Sequence, residues 1–350
     1  MTSANKTQEA LYYVKREDGS VRCELCPHYC LLRENALGVC GVRQNIEGKL
    51  YSLIYGKASS VAVDPIEKKP LFHFFPGSRI FSLGTLGCNF RCANCQNYDI
   101  SQIYGSKGVV EEYEKVNWGE DLSPAELVEQ AKANNCQSIA YTYTEPTVFL
   151  EYALDTMKLA KKEGLRNVWV SNGFMSDQAL DAIIPYLDAI NVDIKSFDDG
   201  FYQKNCGARV QPVLDNCKRL VKECVCLETT TLIIPTLSDD EQMLSQVAKF
   251  IKNELGDFVP WHVSAFSGLI SWKLKQLPDT PISKVKRAYE IGKEEGLKYV
   301  YTGNVWEEES ESTYCPKCKN TLIERIGYRV TRKDEAGQCP KCQEKLEGLF

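Results

Sequence analysis

The chain has 350 residues, 43% of them hydrophobic, which is enough for one large core with smaller appendages. Its 47 Asp and Glu residues outnumber its 42 Lys and Arg residues, giving a net charge of -5, which argues against a broad nucleic-acid-binding face. We expect a soluble, cytoplasmic protein without a membrane anchor, because the start is polar and no apolar run approaches ~18 residues.

The N-terminal segment, residues 1–79, shows little helical periodicity and contains four of the sixteen cysteines, in the pattern C-x2-C-x3-C-x9-C. In a reduced cytosol, thiols grouped in this way are more often metal ligands than disulfide partners. The N-terminal quartet is predicted to hold either zinc or an auxiliary cubane cluster. It consists of Cys23, Cys26, Cys30 and Cys40. His28 lies inside the pattern and could replace one of these ligands.

Between residues 80 and 304, short apolar runs alternate with amphipathic helical patterns, as in β/α units with a parallel sheet. The predicted strands cover residues 80–84, 138–143, 167–172, 189–195, 227–234, 261–266 and 299–303. The predicted helices cover residues 147–163, 177–186, 212–222, 239–254 and 282–295. A further helix begins at a capping box, with Ser123 as N-cap, Pro124 at the first helical position and Glu126 closing the box.

Six or seven such units fit a partial or complete β/α barrel, with a doubly wound open sheet as the alternative. Polar residues recur where the predicted strands end: Cys88, Glu145, Asn172, Asp193 with Lys195, His262, and Thr302 with Asn304. The carboxyl edge of parallel strands carries the site in such folds, so a shared pocket is predicted there. Any one of these residues taken alone would fit a helix cap or a loop equally well.

The C-terminal region begins with a polar, acidic stretch at residues 306–314, which is predicted to be a linker. Behind it, four cysteines in the pattern C-x2-C-x20-C-x2-C resemble a zinc ribbon. This C-terminal quartet consists of Cys315, Cys318, Cys339 and Cys342. Zinc is the predicted metal, with rubredoxin-like iron as the alternative, and the module either staples a small domain or docks a partner. Three regions follow: residues 1–79, 80–305 and 306–350.

The stretch LGCNFRCANCQN, residues 86–97, contains three cysteines in the pattern C-x3-C-x2-C. Three thiolates cannot complete a tetrahedral zinc site, whereas a cubane cluster with three protein ligands leaves one iron open. We call Cys88, Cys92 and Cys95 the triplet. Gly87 suits a backbone that bends closely around an inorganic core. The alternative is a zinc or redox site that lacks one ligand.

The triplet, directly after a predicted strand, resembles the signature of the radical S-adenosylmethionine (SAM) enzymes. This resemblance implies a partial (β/α)6-type TIM barrel and a [4Fe-4S] cluster whose open iron binds SAM. It also implies reductive cleavage of SAM to a 5'-deoxyadenosyl radical that abstracts hydrogen from a substrate. Under the resemblance the remaining SAM contacts come from the strand ends. They are Glu145 for the ammonium, Ser171 and Asn172 for the ribose, Asp193 and Lys195 for the ribose and carboxylate, and His262 and Asn304 as weaker candidates.

The segments CELCPHYCLL, GVCGVRQN, YTYTEPTVF, SNGF, LIIPTLSD and PWHVS together resemble the AmmeMemoRadiSam-system radical SAM proteins. That group is related to the activating enzymes of pyruvate formate-lyase. The resemblance implies Memo-like and AMMECR-like partners, an electron donor such as flavodoxin or ferredoxin, and anaerobic chemistry. Two departures stand out. Asn94 replaces an aromatic residue, so Tyr98 or Phe90 is expected to contact adenine, and the loop after PWHVS differs from that of relatives.

Five cysteines lie outside the three groups. Cys136, Cys217, Cys224 and Cys226 are predicted to be small buried residues. Cys206 follows the fourth predicted strand beside a glycine, so its thiol is a candidate hydrogen-atom donor to a substrate radical.

Two other classes of function compete with the radical enzyme. A non-catalytic metal-binding or iron–sulfur assembly protein explains the cysteines but leaves the carboxylates at the strand ends without a purpose. Nucleic-acid modification guided by a zinc knuckle is weakened by the acidic balance and by the absence of a basic, aromatic stripe. Activation of a glycyl-radical enzyme is a subclass for which no sequence feature provides the partner surface.

Overall fold

The computed structural model describes residues 8–103, 116–305 and 308–350. Within these ranges, no helix combines the length and the apolar character that crossing a membrane requires. The chain forms two compact units, one of Met1–Val63 with Ile80–Asp188 and one of Asp64–Arg79 with Ala189–Phe350. The sequence predicts a different division, into residues 1–79, 80–305 and 306–350, and that division stays a prediction.

Short antiparallel strands build the N-terminal part. Their bounds are β1 Gln8–Glu9, β2 Tyr13–Lys15, β3 Val21–Cys23, β4 Leu31–Leu32, β5 Arg43–Ile46, β6 Lys49–Ser52, β7 Lys57–Ala58 and β8 Ser60–Pro65. One small sheet has the order β1-β6-β5 and another the order β2-β3-β4. Hairpins of this kind account for the lack of helical periodicity, and they hold the N-terminal quartet at strand ends and in the loops between strands.

The first unit continues with parallel strands and their helices. The strands are β9 Arg79–Gly84, β11 Ser138–Tyr141 and β12 Arg166–Ser171; the helices are α1 Tyr98–Ser101, α2 Pro124–Ala133, α3 Leu150–Lys162 and α4 Asp177–Ile183. A short strand, β10 Glu120–Asp121, pairs with β7. Strand β11 lies between β9 and β12 and is parallel to both. The capping box at the start of α2 is present as predicted, with Ser123 and Glu126 bonded to each other's backbone N–H groups.

The second unit repeats this pattern. Its strands are β13 Ala189–Asp193, β14 Cys226–Ile233, β15 Trp261–Ala265 and β16 Val300–Gly303; its helices are α5 Asp199–Phe201, α6 Gln211–Lys222, α7 Glu241–Phe250 and α8 Ile282–Glu294. Consecutive strands are neighbours and parallel. In both units the spatial order follows the chain, without the reversal that defines a doubly wound sheet. The predicted α/β fold with parallel strands is therefore confirmed, and this strand order favours the barrel type over the doubly wound alternative.

Several predicted boundaries shift for local reasons. Strand β11 ends at Tyr141 because Tyr143 has a φ of 66°, in the left-handed region that extended strands do not use. Helix α3 begins at Leu150 because Pro146–Phe149 forms a 3₁₀ turn first. Helix α7 ends at Phe250 and passes into a π turn, Ile251–Leu255.

The predicted polar linker is wrong over residues 308–314; residues 306–307 lie outside the described residues. This stretch forms α9 Glu308–Glu311 and β17 Thr313–Tyr314, which pairs with β18 Thr321–Ile326 and through it with β19 Arg329–Arg332. Thr313 is fully buried, and its hydroxyl accepts a hydrogen bond of 2.8 Å from the Arg325 guanidinium. Polar composition was misleading because buried partners satisfy these hydroxyls.

The C-terminal module shares its core with the rest of the second unit. A cluster of buried residues joins both: Phe72, Tyr299, Tyr301, Cys315, Leu322, Ile323, Cys339 and Leu346. Arg325 is fully buried, lies 4.1 Å above the Phe72 ring and donates to the Phe72 carbonyl oxygen at 2.8 Å. The module is therefore fastened to β16 and to residues 64–79 by packing and by hydrogen bonds, in addition to any metal it binds.

Candidate active site and metal centres

The triplet lies in the loop between β9 and α1, at the carboxyl end of the first parallel strand. Gly87 has a φ of 89°, and its N–H donates to the Ile100 carbonyl oxygen at 2.9 Å, which folds the loop back onto α1. A Cβ at Gly87 would lie 2.7 Å from the Cys40 carbonyl oxygen and 2.6 Å from Val42 Cγ1. Only glycine fits, as predicted, but the cause is a protein segment packed against the loop together with the dihedral angle.

Local hydrogen bonds orient the thiols of the triplet. The Phe90 N–H donates to Cys88 Sγ at 3.3 Å, and the Asn172 side-chain amide lies 4.0 Å from the same sulfur. Cys95 Sγ is 3.2 Å from the Ser101 hydroxyl oxygen. Burial raises the pKa of Cys88 well above its usual value, and the nearby charges of Glu145, Cys92 and Cys95 raise it further. A bound cation or cluster reverses this effect, because it favours the thiolate that ligates it.

Glu145 follows β11 and is almost fully buried. Its Oε1 accepts from the Thr147 N–H at 3.1 Å, the Thr147 hydroxyl at 2.6 Å and the Ser171 hydroxyl at 2.8 Å, and its Oε2 accepts from the Asn172 N–H at 2.8 Å. Burial raises the pKa of Glu145, although these hydrogen bonds lower it. Because each carboxylate oxygen offers about two acceptor positions, Oε1 is saturated and Oε2 can accept one more hydrogen bond. It ties the end of β11 to the end of β12.

The segment after β12 connects Glu145 with the triplet. Asn172 donates from Nδ2 to Asn89 Oδ1 at 2.8 Å and accepts from the Phe174 N–H at 2.9 Å. Asn89 lies directly after Cys88, and its Nδ2 donates to the Phe174 carbonyl oxygen at 2.8 Å. Asn89 was not among the predicted site residues, and its signal in the sequence is its place inside the triplet pattern. The structure brings together Cys88, Glu145, Ser171 and Asn172 as predicted, through protein contacts that the sequence does not reveal.

Two predicted site residues of the second unit form an ion pair. Lys195 Nζ lies 2.8 Å from Asp193 Oδ2, and the side chains are 17% and 38% exposed respectively. The spacing of two residues puts both on one side at the end of β13, as expected for a strand. Asn304, exposed at the end of β16 with a φ of 58°, donates to the Ala265 carbonyl oxygen at 3.0 Å. The SAM contacts assigned to these residues stay predictions.

The predicted position of His262 is wrong. It is the second residue of β15, at the amino end of the strand, and not at the carboxyl edge where Asp193 and Asn304 lie. Its Nε2 lies 2.7 Å from Glu228 Oε2, and its ring packs edge-on against Phe72 at 4.7 Å. Because the side chain is buried among these partners, we assign His262 to the core of the second unit.

His73 also belongs to this buried group. Its Nε2 lies 2.7 Å from the Tyr301 hydroxyl oxygen, and its backbone N–H donates to Glu228 Oε1 at 2.7 Å. Burial lowers the pKa of His73. Burial also raises the pKa of Glu228, but the hydrogen bond from His262 and the charges of both histidines bring it below the usual value. A charged group at the centre of a core thus connects β14, β15, β16 and residues 64–79.

Of the four cysteines predicted to be buried, two are buried, Cys226 is half-buried and Cys224 is exposed. Cys136 and Cys217 are buried, and burial raises the pKa of Cys217 to about 12. Cys224 was predicted to be buried and is exposed, because it sits in a tight turn with a φ of 58° after α6. Cys206 is fully buried in the π turn Tyr202–Cys206, with the Asn205 side-chain amide 3.7 Å from its sulfur. Its role as a hydrogen-atom donor stays a prediction.

Of the two aromatic residues expected to contact adenine, Tyr98 has the more accessible side chain. Phe90 is buried and packs on Phe174 with 5.3 Å between ring centroids, so it has no exposed face for a base. Tyr98 is half-buried at the start of α1. His28, the predicted substitute ligand, packs on Phe174 at 5.1 Å, and its Nε2 lies 2.8 Å from the Asn89 carbonyl oxygen.

The C-terminal quartet has the geometry of a mononuclear metal site. Cys315 Sγ lies 3.5 Å from Cys342 Sγ, and Cys318 Sγ lies 3.6 Å from Cys339 Sγ. Within the part of the chain that the structure describes, this is the one set of Cys, His, Asp or Glu side chains with three or more ligand atoms within 4.8 Å of one another. Zn–S bonds of about 2.3 Å in a tetrahedron place the sulfurs at nearly these separations.

Known proteins resemble this chain in sequence and in fold. A profile described as the radical SAM superfamily matches residues 83–249. A protein of Methanocaldococcus jannaschii, named Uncharacterized protein MJ0808, is 43% identical over 343 residues, which cover 97% of this chain and 99% of that protein. Pyruvate formate-lyase 1-activating enzyme of Escherichia coli K12 is 26% identical over 195 residues, covering 53% of this chain and 75% of the enzyme. A radical SAM methyltransferase from Sphaerobacter thermophilus has a similar fold, with a TM-score of 0.50 and 13% identity over 65% of this chain and 67% of that one.

Proposed function

Because this chain belongs to the radical SAM superfamily and is homologous to pyruvate formate-lyase activating enzymes, we propose that it is a radical SAM enzyme. The triplet would ligate a [4Fe-4S] cluster and leave one iron for SAM. When bound, this cluster supplies the electron that splits SAM into methionine and a 5'-deoxyadenosyl radical, which takes a hydrogen atom from the substrate. The observation that carries the proposal is the position of three cysteines, in the C-x3-C-x2-C spacing, in the one loop that follows β9.

The donor set suits a cluster better than a single ion. The nearby thiols of Cys92 and Cys95 raise the pKa of Cys88, but the three sulfurs are not all within 4.8 Å of one another. Among the described residues, only the C-terminal quartet meets that limit. In a cubane each thiolate binds a different iron, so the sulfurs stand farther apart than around one ion. Hydrogen bonds to Cys88 from the Phe90 N–H and from Asn172 would stabilise its thiolate form and tune the cluster.

Glu145 would act by positioning as well as by direct contact with the SAM ammonium. Its hydrogen bonds fix Ser171 and Asn172 at the end of β12, and its Oε2 accepts one of them. Asn172 in turn reaches Asn89 and the Cys88 sulfur. We therefore propose that Glu145 keeps the ribose-binding segment and the triplet loop in register. The ammonium contact expected for Glu145 can use the second acceptor position of Oε2 and leave these hydrogen bonds intact.

The substrate would be an organic molecule or a residue of a partner protein. The motif resemblance to the AmmeMemoRadiSam-system proteins supports Memo-like and AMMECR-like partners, and a low-potential donor such as flavodoxin or ferredoxin would supply the electron. Zinc in the C-terminal quartet is part of the same proposal, supported by Sγ separations of 3.5 and 3.6 Å. The half-buried ion pair of Asp193 and Lys195 would bind the ribose and carboxylate of SAM.

Product analysis tests this proposal. Protein reconstituted without oxygen and incubated with dithionite and SAM should yield 5'-deoxyadenosine and methionine, and Cys92→Ala should abolish both. Cys136→Ala is the matched control, since it removes a buried thiol outside the three groups. Wild-type protein with an intact cluster and no 5'-deoxyadenosine would exclude the enzyme and leave the alternative, a non-catalytic iron–sulfur assembly protein.

A further inference from the structure

The four thiols of the N-terminal quartet are gathered by the two small hairpins around them. Cys23 ends β3, and its N–H donates to the Cys30 carbonyl oxygen at 3.0 Å across the turn to β4. Cys40 comes shortly before β5, and the Gly38 N–H donates to the Arg43 carbonyl oxygen at 2.9 Å. A Cβ at Gly38 would lie 3.6 Å from Cys40 Sγ and 3.9 Å from Cys30 Sγ, so these two sulfurs flank one backbone position.

Cys26 lies in the turn between Cys23 and Cys30, and a backbone amide donates to one of the four sulfurs. The Tyr29 N–H donates to the Cys26 carbonyl oxygen at 3.1 Å, which folds this turn back on itself. The Val39 N–H donates to Cys30 Sγ at 3.5 Å. Amide donors around buried sulfurs are typical of thiolate ligands, since they stabilise the negative charge.

The spacing of these sulfurs differs from that of the C-terminal quartet. The C-terminal quartet brings its sulfurs within 4.8 Å of one another, and within the described ranges no other set of three or more ligand atoms does so. Four thiolates on one tetrahedral zinc ion must be that close. Four thiolates on a cubane are not, because each binds a separate iron. The N-terminal quartet therefore shares its wider spacing with the triplet, not with the site that fits zinc.

The loops of the N-terminal quartet and the triplet also touch. The Cys40 carbonyl oxygen lies 2.7 Å from the position that a Cβ would take at Gly87, the residue before Cys88. The Arg91 guanidinium donates to the Val39 carbonyl oxygen, and His28 Nε2 lies 2.8 Å from the Asn89 carbonyl oxygen. Each contact pairs a residue inside or next to one cysteine pattern with a residue inside or next to the other.

From this geometry we infer that the N-terminal quartet binds a second iron–sulfur cluster, of the [4Fe-4S] class, adjacent to the cluster of the triplet. Four cysteines close all its corners, so it has no open iron for SAM. What remains for it is to exchange single electrons and to hold the 23–42 segment against the triplet loop. The inference concerns the metal of a separate site, so it does not require SAM cleavage to occur at the triplet.

A variant that removes the first cluster isolates the second. Cys88→Ala, Cys92→Ala and Cys95→Ala are combined, and the protein is purified without oxygen for iron, sulfide and zinc counts and Mössbauer spectroscopy. We expect about four iron and about four sulfide per chain to remain. The electron paramagnetic resonance signal of the reduced variant should not change on addition of SAM. Adding Cys23→Ala and Cys26→Ala should remove this iron and sulfide while the zinc content stays the same.

The opposite results overturn the inference. Zinc in place of iron, iron without sulfide, or a quartet without metal in the triplet variant would each exclude the second cluster. The iron content of wild-type protein is an independent test that requires no substitution. Two clusters give about eight iron per chain, and one cluster gives about four. Failure of the proposed function has a separate signature, since it would appear as uncleaved SAM at unchanged iron counts.

Discussion

Gly87→Ala tests whether the triplet loop packs closely against Cys40 and Val42, at the end of the N-terminal quartet. The substitution adds one methyl group at a φ of 89°, where it would meet the Cys40 carbonyl oxygen at 2.7 Å and Val42 Cγ1 at 2.6 Å. Gly164→Ala is the matched control. Gly164 has a φ of 79° after α3, and a Cβ there would meet nothing within 4 Å.

The two substitutions share one energetic cost and differ in the other. A side chain in the left-handed region costs about 1–2 kcal/mol at either position. At Gly87 the clash adds about 1–3 kcal/mol, because a backbone carbonyl must move and cannot rotate away as a flexible side chain could. Gly87→Ala should therefore lower the free energy of unfolding by about 2–5 kcal/mol and Gly164→Ala by about 1–2 kcal/mol.

Urea unfolding and iron content, measured side by side, check this prediction. Gly87→Ala should shift the urea midpoint further than Gly164→Ala does and should reduce iron per chain, since the displaced loop carries Cys88. Gly164→Ala should retain the wild-type iron content. Equal midpoints and equal iron in the two variants would refute the claim that the two segments are closely packed at this point.

Three further predictions concern the buried polar groups and the C-terminal metal. Glu145→Gln places an amide N–H₂ against one of the present donors, such as the Asn172 N–H, and should lower the free energy of unfolding by about 1–3 kcal/mol, as read by thermal unfolding against the surface variant Glu163→Gln. Stability should fall as the pH drops below about 6.5, because burial lowers the pKa of His73 and the unfolded chain takes up the proton first. It should fall again below about 4.5, because the pKa of Glu228 is lower in the folded protein and the unfolded chain again takes up the proton first. In a pH series of melting temperatures His73→Gln should remove the first step and keep the second. Cys318→Ser should release the C-terminal metal, measured by zinc analysis, and leave the iron count as in wild type; iron loss of the same size would argue against separate sites.

Much of the fold could be predicted because apolar runs and caps are local signals. The strand from Arg166 to Ser171 is one residue from its predicted position, and the capping box at Ser123 formed as expected. The cysteine patterns were also informative, since ligand spacing is set over a few residues. Ends of strands were less certain, because an apolar run does not show where a left-handed residue such as Tyr143 stops it.

The errors have a common physical cause, which is the presence of partners distant in sequence. His262 was taken as a site residue, but Glu228, 34 residues away, holds it inside the core. Thr313 was taken as part of a linker, yet the Arg325 guanidinium satisfies it in the interior. The hydrogen bonds of Glu145 within the protein were hidden for the same reason, since its partner Ser171 lies 26 residues further on. Burial of polar groups depends on such pairings, which composition does not encode.

The central claim is that the triplet leaves one iron open and that SAM occupies it. Electron–nuclear double resonance on the reduced protein, with SAM labelled by 15N in the amino group and 17O in the carboxylate, tests it most directly. The account predicts hyperfine coupling of both labels to the cluster in wild-type protein and its loss in Cys92→Ala. A fully loaded wild-type cluster that shows no coupling to either label, or whose fourth iron is bound by a protein side chain, would contradict it.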